Sequence, residues 1–514
     1  MAPLVWLLAA CGAYSLLHRL LGGATFMHSF LPATHEANAT QFFTRRGRWG
    51  GRARGCARRA APSEALAQRQ GVLMSSIWSS VQPSDARLTY LRGTLAPLPP
   101  PTHCTSTLLE RLRHDAPSLL GFRPSLWLRD GHWQTLYTFV ARVPRLPGPS
   151  GGQKLRFMRQ RLQAADGGTL SVDWAVPSEQ AAQAEASATR QSSRLVCDVV
   201  PPPWERDSEV GAAAWRGDAP SRPVLLLTPG LSGHTGTAYV AHAALEAQRR
   251  GWRFAAWNWR GVGADNALTS PMVTSPFHTA DLRQIVEHIR AILPEAPIVA
   301  VANSLGGTLL VRYLAEYGED AQIAAAATMC SPYCLLTQIN SFAKKWKFYE
   351  KSVMVPLHES LDRFDTKRDP MRGLCRQKNY ATWKAAHEAA VARGEAHMML
   401  DPDEVLASRT IHEYDTVASC RLYGYRHVLH YYQEASVSHL VPEVKVPLLA
   451  LFSADDPLVE QQLPREWFEE QPHTVMAVTP HGGHLGFYGG PVGSLNPWWP
   501  RATLDFFEVG AGLR

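Results

Sequence analysis

The chain has 514 residues, 45% of them hydrophobic and 19% charged, an ordinary globular composition with material for a large core. A net charge of +7 would suggest a polyanionic partner, but the excess sits in residues 1–72, which hold nine arginines, no lysine, Glu36 and Glu64. The rest of the chain is balanced, so nucleic-acid binding is set aside.

Residues 3–31 are largely apolar, broken by His18-Arg19, and an arginine-rich run from 45 to 59 follows. Two readings stay open for the leader 1–72. It is a single-pass N-terminal anchor giving membrane association, with the arginines holding the body on the cytosolic side. Alternatively it is a cleaved presequence for a plastid or mitochondrion, since it is arginine-rich, lysine-free and acid-poor. Residues 32–72 lack periodicity and are expected to be disordered. The eight cysteines, at 11, 56, 104, 197, 330, 334, 375 and 420, form no C-x-x-C pair and have no ligand partners at zinc-finger spacing. Reduced, mostly buried thiols and no metal are expected.

From residue 115 onward the pattern becomes regular. Segments 155–163 and 169–175 flank Asp166-Gly167-Gly168, which predicts a β-hairpin. Residues 177–221 mix Ala, Gln and Ser with Pro201-Pro202-Pro203 and read as a surface insertion. Strands are predicted at 224–228, 252–259, 298–303, 323–329, 447–452 and 474–478. Helices are predicted at 239–250, 281–293 and 305–317. Such alternation implies an α/β domain with a mostly parallel central sheet covered by helices on both faces. The polar, helix-rich stretch 333–440 interrupts the rhythm and has the size of a helical lid.

Within this frame, Val299-Ala300-Val301-Ala302-Asn303-Ser304-Leu305-Gly306-Gly307 reads as a strand running straight into a helix. That is the layout of a nucleophile elbow, a strained turn exposing one serine. The close approach of strand and helix calls for small residues two before and two after the serine. Gly306 satisfies this, whereas Ala302 stands where the G-x-S-x-G pattern has glycine. A serine hydroxyl needs a histidine to take its proton and an acid to fix the imidazole tautomer. In this layout they follow in the order Ser, Asp, His. The strand 447–452 ends in Asp455-Asp456-Pro457, giving Asp456 as the favoured acid and Asp455 as a rival. The segment His481-Gly482-Gly483-His484 gives His484 as the base and His481 as its comparator. The oxyanion would need backbone N–H donors, assigned to Leu305 and to Leu231 in the glycine-rich loop 229–236. No Gly-Lys-Ser/Thr follows that loop, so it is not a phosphate loop.

Several motifs resemble those of the AB hydrolase 4 family of α/β-hydrolase-domain esterases and lipases. They run in order over residues 119–510, starting with Gly131-His132 and Gln134-Thr135 in a segment similar to the family's GH-x-Q-T. Pro229-Gly230-Leu231, Asn258-Trp259-Arg260-Gly261 and the Ser304 elbow follow. Then come Thr410–Asp415, Leu422–Tyr425, Tyr431-Tyr432, Ala454–Pro457 and Gly482–Phe487. The resemblance implies an α/β-hydrolase fold over residues 115–514, a Ser304–His484–Asp456 triad and no cofactor. His132, Gln134 and Arg260 are read as framework. The implied substrate is an acyl ester, an acylglycerol or phospholipid among the candidates. Acyl transfer or thioester cleavage would use the same machinery, and a non-catalytic binding protein is the rival from another class. An aspartate in place of Ser304 would point to dehalogenase or epoxide-hydrolase chemistry; serine does not.

Overall fold

The computed structural model describes residues 108–140, 153–176, 220–339, 347–359, 370–459 and 463–513, apart from gaps at 264–265, 274, 470 and 492–495, together with short strands at 41–43, 145–146 and 199–200. Residues 3–31, the arginine run and most of 177–221 lie outside these. Among the described residues no helix is long and apolar enough to cross a membrane.

Ten strands form one sheet. In chain order they are β1 (Gln41–Phe43), β2 (Arg156–Gln163), β3 (Thr169–Val176), β4 (Val199–Val200), β5 (Val224–Thr228), β6 (Arg253–Asn258), β7 (Ile298–Asn303), β8 (Ala325–Met329), β9 (Leu448–Ser453) and β10 (Thr474–Thr479). The spatial order is β1-β10-β9-β8-β7-β5-β6-β3-β2-β4. From β6 to β10 every neighbouring pair is parallel. The hairpin β2–β3 joins this block antiparallel to β6, as its Asp166-Gly167-Gly168 turn predicts. Within the stretch expected to lack order, β1 adds an antiparallel edge strand against Met476–Val478. Three residues are too few for alternation to be read from sequence.

The parallel strands are apolar on both faces because helices cover both. Leu225, Leu227, Val299 and Val301 point into one core. Their chain neighbours Val224, Leu226, Ile298 and Ala300 point into the other. The helices used below are α1 (Gly131–Val140), α2 (Ala238–Arg249), α3 (Thr279–Ile292), α4 (Leu305–Tyr317), α5 (Lys347–Glu359), α6 (Pro370–Ala392), α7 (Val428–Ala435) and α8 (Trp499–Gly510). Helices α2 and α8 close the first core, and α3 and α4 close the second. On α3 the stripe Leu282, Ile285, Val286 and Ile289 is buried, matching its 3.6-residue spacing.

Two buried arginines brace this scaffold, with bidentate geometry that suits carboxylates. Arg260 pairs with Asp281 at 2.6 and 2.8 Å and reaches Asp166 of the hairpin turn at 2.7 Å. Arg159 holds Asp173 through two 2.7 Å bonds. Arg260 is thus a framework residue, as expected. Between Met329 and Leu448 the described chain is largely helical: α5, α6, several short turns and α7.

Candidate active site

All the parallel strands point the same way, so the loops after β5, β7, β8, β9 and β10 meet at one edge of the sheet. Strand β7 ends at Asn303 and α4 starts at Leu305, leaving Ser304 between them with φ 51° and ψ −127°. A left-handed φ in a serine costs on the order of 1–3 kcal/mol and persists only when the surroundings enforce it. Here the Ser304 N–H donates to the Met329 carbonyl at 2.8 Å, and the Ser304 carbonyl accepts from Gly307 at 2.9 Å. The turn is tight on one side. A Cβ at Gly306 would lie 2.8 Å from the Thr228 carbonyl oxygen and closer still to that of Pro229. Ala302 is different. Its methyl group is fully buried in the second core, where there is room for it.

Asp456 and His484 are brought to this serine. His484 Nε2 lies 3.0 Å from Ser304 Oγ, and His484 Nδ1 lies 2.9 Å from Asp456 Oδ2. A carboxylate only accepts, so the imidazole proton belongs on Nδ1 and the Nε2 lone pair faces the hydroxyl. The other Asp456 oxygen accepts from the Leu458 and Val459 amides at 2.8 and 3.0 Å. Asp456 and His484 are only 6% and 8% exposed, so water competes little for these bonds.

Asp455 is turned elsewhere. Its Oδ2 is 3.3 Å from His481 Nδ1, while its Oδ1 accepts from Ser453 Oγ at 2.5 Å and from the Gly483 amide at 2.9 Å. The Asp455 bond holds the His481 pKa above its ordinary value despite partial burial. The rival acid and the comparator histidine therefore form a pair of their own.

The segment Gly131–Thr135 supports both pairs from behind. Thr135 Oγ1 accepts the His484 amide at 2.8 Å and donates to the Gly131 carbonyl at 2.7 Å. Gln134 accepts from the Tyr488 amide at 2.8 Å and donates to the Leu128 carbonyl at 2.6 Å. A Cβ on Gly131 would fall on the Asp455 carbonyl. Sequence reasoning classed Gln134 and His132 as framework but missed what the segment holds. Two histidines spaced three apart opposite two adjacent aspartates were the available signal.

The loop 229–236 lies against the serine: a Cβ on Gly230 would sit 3.0 Å from Ser304 Cβ. It is pinned at several points. The Gly230 amide donates to Tyr239 Oη at 3.1 Å, Trp259 Nε1 donates to the Pro229 carbonyl at 2.9 Å, and Thr235 bonds Asp173 at 2.6 Å. Leu231 lies in this loop beside the serine with its side chain partly exposed. Leu305 opens α4, where an amide has no acceptor within the helix. Leu305 follows Ser304 in the chain, and Leu231 follows Gly230, which lies against the serine.

The inserted helices reach the same edge. Tyr349 of α5 bonds His132 Nδ1 at 2.8 Å and stacks on its ring, and burial holds the His132 pKa below its ordinary value. Tyr349, Met354 and Leu357 pack with Leu458, two residues past Asp456. Leu305 packs against a cluster that includes Tyr431 and Tyr432 of α7. Cys330, at the end of β8, completes a buried group with Asp456 and His484 that has metal-ligand chemistry.

Residues 223–491, more than half of the chain, match the family model described as alpha/beta hydrolase fold. The chain is 28% identical over 69% of its length to 66% of the embryogenesis-associated protein EMB8 of Picea glauca, so it spans about two thirds of that relative. It is 27% identical to the human phospholipase ABHD3, over 76% of this chain and 77% of the relative. It is 25% identical to a monoacylglycerol lipase ABHD2 of Danio rerio, over 78% and 83% respectively. A parallel sheet with a strained serine between β7 and α4, matched over that span, makes this chain a member of the α/β-hydrolase superfamily.

Proposed function

We propose that this chain is a carboxylic-ester hydrolase of the serine type, with Ser304 as nucleophile, His484 as general base and Asp456 as its orienting acid. The observation that carries this reading is the continuous contact from Ser304 Oγ to His484 at 3.0 Å and on to Asp456 at 2.9 Å. Ser304 attacks the acyl carbonyl while Nε2 takes its proton, and Asp456 stabilises the imidazolium. The Leu231 and Leu305 amides hold the oxyanion, an arrangement worth about 3–4 kcal/mol per donor in such sites. The alcohol leaves with the His484 proton. Water then cleaves the acyl-enzyme by the same steps reversed, without a cofactor.

Lipid esters, acylglycerols or phospholipids, are the proposed substrates. The names of the phospholipase and monoacylglycerol lipase relatives support this. So does the buried aromatic and aliphatic cluster of Leu335, Tyr431 and Tyr432, against which Leu305, next to the serine, packs. The inserted helices α5–α7 are proposed as the lid, and residues 3–31 as the segment that brings the protein to a membrane. The test is hydrolysis of a medium-chain p-nitrophenyl ester and labelling by a fluorophosphonate, in wild type and in Ser304→Ala. Turnover and labelling in the wild type alone are expected. A folded wild type that takes no label contradicts the proposal.

A further inference from the structure

Behind the His484–Asp456 contact lies a third group that the hydrolytic reading does not use. Cys330 is a free, fully buried cysteine at the end of β8. Its backbone is held at φ 48°, a left-handed value that a cysteine does not adopt without constraint. The constraint includes a 2.8 Å bond from its amide to the Leu451 carbonyl of β9. This conformation turns Sγ toward the loop of the base, 3.6 Å from the Gly483 carbonyl. The ligand-type atoms of Cys330, Asp456 and His484 all lie within 4.8 Å of one another, and all three residues are buried.

From this geometry we infer a binding site for a borderline-soft divalent cation such as zinc, formed by Cys330 Sγ, His484 Nδ1 and Asp456 Oδ2, whose occupation switches the hydrolase off. The donor set suits the ion: sulfur, imidazole nitrogen and carboxylate are the usual zinc ligands, and three protein ligands leave one position open. Neighbouring ligands of a tetrahedral zinc are roughly 3–4 Å apart, given bonds of about 2.0–2.3 Å, so the cluster needs to contract by no more than roughly 1–2 Å. Charge also fits. One carboxylate and one thiolate neutralise the dication, so the loaded site is neutral and the buried Asp456 charge is compensated. Without the ion, burial and the nearby Asp456 charge keep the thiol protonated, its pKa well above the ordinary range.

Binding releases the thiol proton to solvent and replaces the Nδ1 proton of the imidazole. The ring stays neutral and its single proton moves to Nε2, which faces Ser304 Oγ at 3.0 Å. Nε2 then can only donate toward Ser304 Oγ and cannot accept, so the base contact that activates the serine is lost. This effect on hydrolysis rests on the triad proposed above, whereas the cation site itself does not.

The experiment uses the purified full chain, reduced and free of chelator. Cobalt(II) added to the wild type is expected to give the near-ultraviolet thiolate-to-cobalt charge-transfer band. That band is expected to be lost in Cys330→Ala and Cys330→Val. Zinc chloride is expected to abolish fluorophosphonate labelling and ester turnover of the wild type, with recovery on adding EDTA. The half-inhibitory zinc concentration should rise at least about tenfold in a Cys330 variant that retains turnover. No cobalt band in the wild type, a band unchanged in both variants, or equal zinc inhibition of wild type and variants overturns the proposal. If the metal-free wild type takes no label, the hydrolase reading fails, and the cobalt band alone decides the site.

Discussion

Two aspartate–histidine pairs lie side by side where β9 and β10 end, and they are built for different tasks. Asp456 and His484 are buried, and their ring reaches Ser304 at 3.0 Å. In the other pair the His481 side chain is 42% exposed and the Asp455 side chain 25% exposed, with a 3.3 Å contact. The same residue types, one and three positions apart, differ in what surrounds them. Backbone amides hold Asp456 from one side and His484 from the other, and both side chains are largely shielded from solvent. Asp455 instead serves the loop, accepting from Ser453 and Gly483. A histidine–aspartate contact does not by itself mark a catalytic pair; burial and a serine hydroxyl at the far nitrogen set Asp456–His484 apart.

The largest effect expected from separating the pairs is on turnover. Asp456→Asn should lower kcat by roughly 10⁴-fold, the scale for an acid that fixes a catalytic tautomer. Asp455→Asn should lower it less than about tenfold, because that residue touches no reacting group. Equal losses in the two variants, measured as ester hydrolysis at saturating substrate, would erase the distinction.

Next comes Gly131→Ala, which drives a methyl group into the Asp455 carbonyl. Overpacking of this kind costs about 1–3 kcal/mol. The melting temperature should fall by several degrees; an unchanged melt would mean the loop moves freely. Thr135→Val is smaller. It removes the acceptor of the His484 amide, so kcat should drop by about fivefold with KM nearly unchanged, since a net hydrogen bond is worth about 1 kcal/mol. A rise in KM alone would show that Thr135 does not position the base.

The smallest effect concerns pH. The His481 pKa is raised in the folded state by Asp455. Its stabilisation is therefore complete below the unfolded value of about 6.5 and is lost as pH rises through the folded value. Solvent screening limits this to under about 1 kcal/mol. His481→Ala should remove that slope from the melting temperature measured between pH 5 and 8 and leave turnover intact.

Much of this was legible in the residues. The parallel strands announced themselves as apolar runs such as Val224–Thr228, because a sheet covered on both faces needs them. Ser304, Asp456 and His484 stood out because each follows such a run in the order the fold requires. What the sequence did not carry was the side on which each neighbour packs. Asp455 and Asp456 are equivalent as letters, and only the turn after β9 sends one to His484 and the other to His481. The alanine at 302 looked like a blemish because tightness at an elbow was assumed on both sides. In the fold, the Gly306 side presses on the Thr228 and Pro229 carbonyls, whereas the Ala302 methyl group packs in the second core. Cys330 was read as an ordinary buried thiol, since its partners arrive from β9 and β10, more than a hundred residues later.

The central claim is that Ser304 carries the acyl group during turnover. Intact-mass and peptide mapping of the wild type, quenched during hydrolysis of a p-nitrophenyl ester, tests it most directly. The account predicts one acyl adduct per chain, on the peptide containing Ser304, and none in Ser304→Ala. Turnover with the adduct on another residue, or turnover that survives in Ser304→Ala, would contradict it.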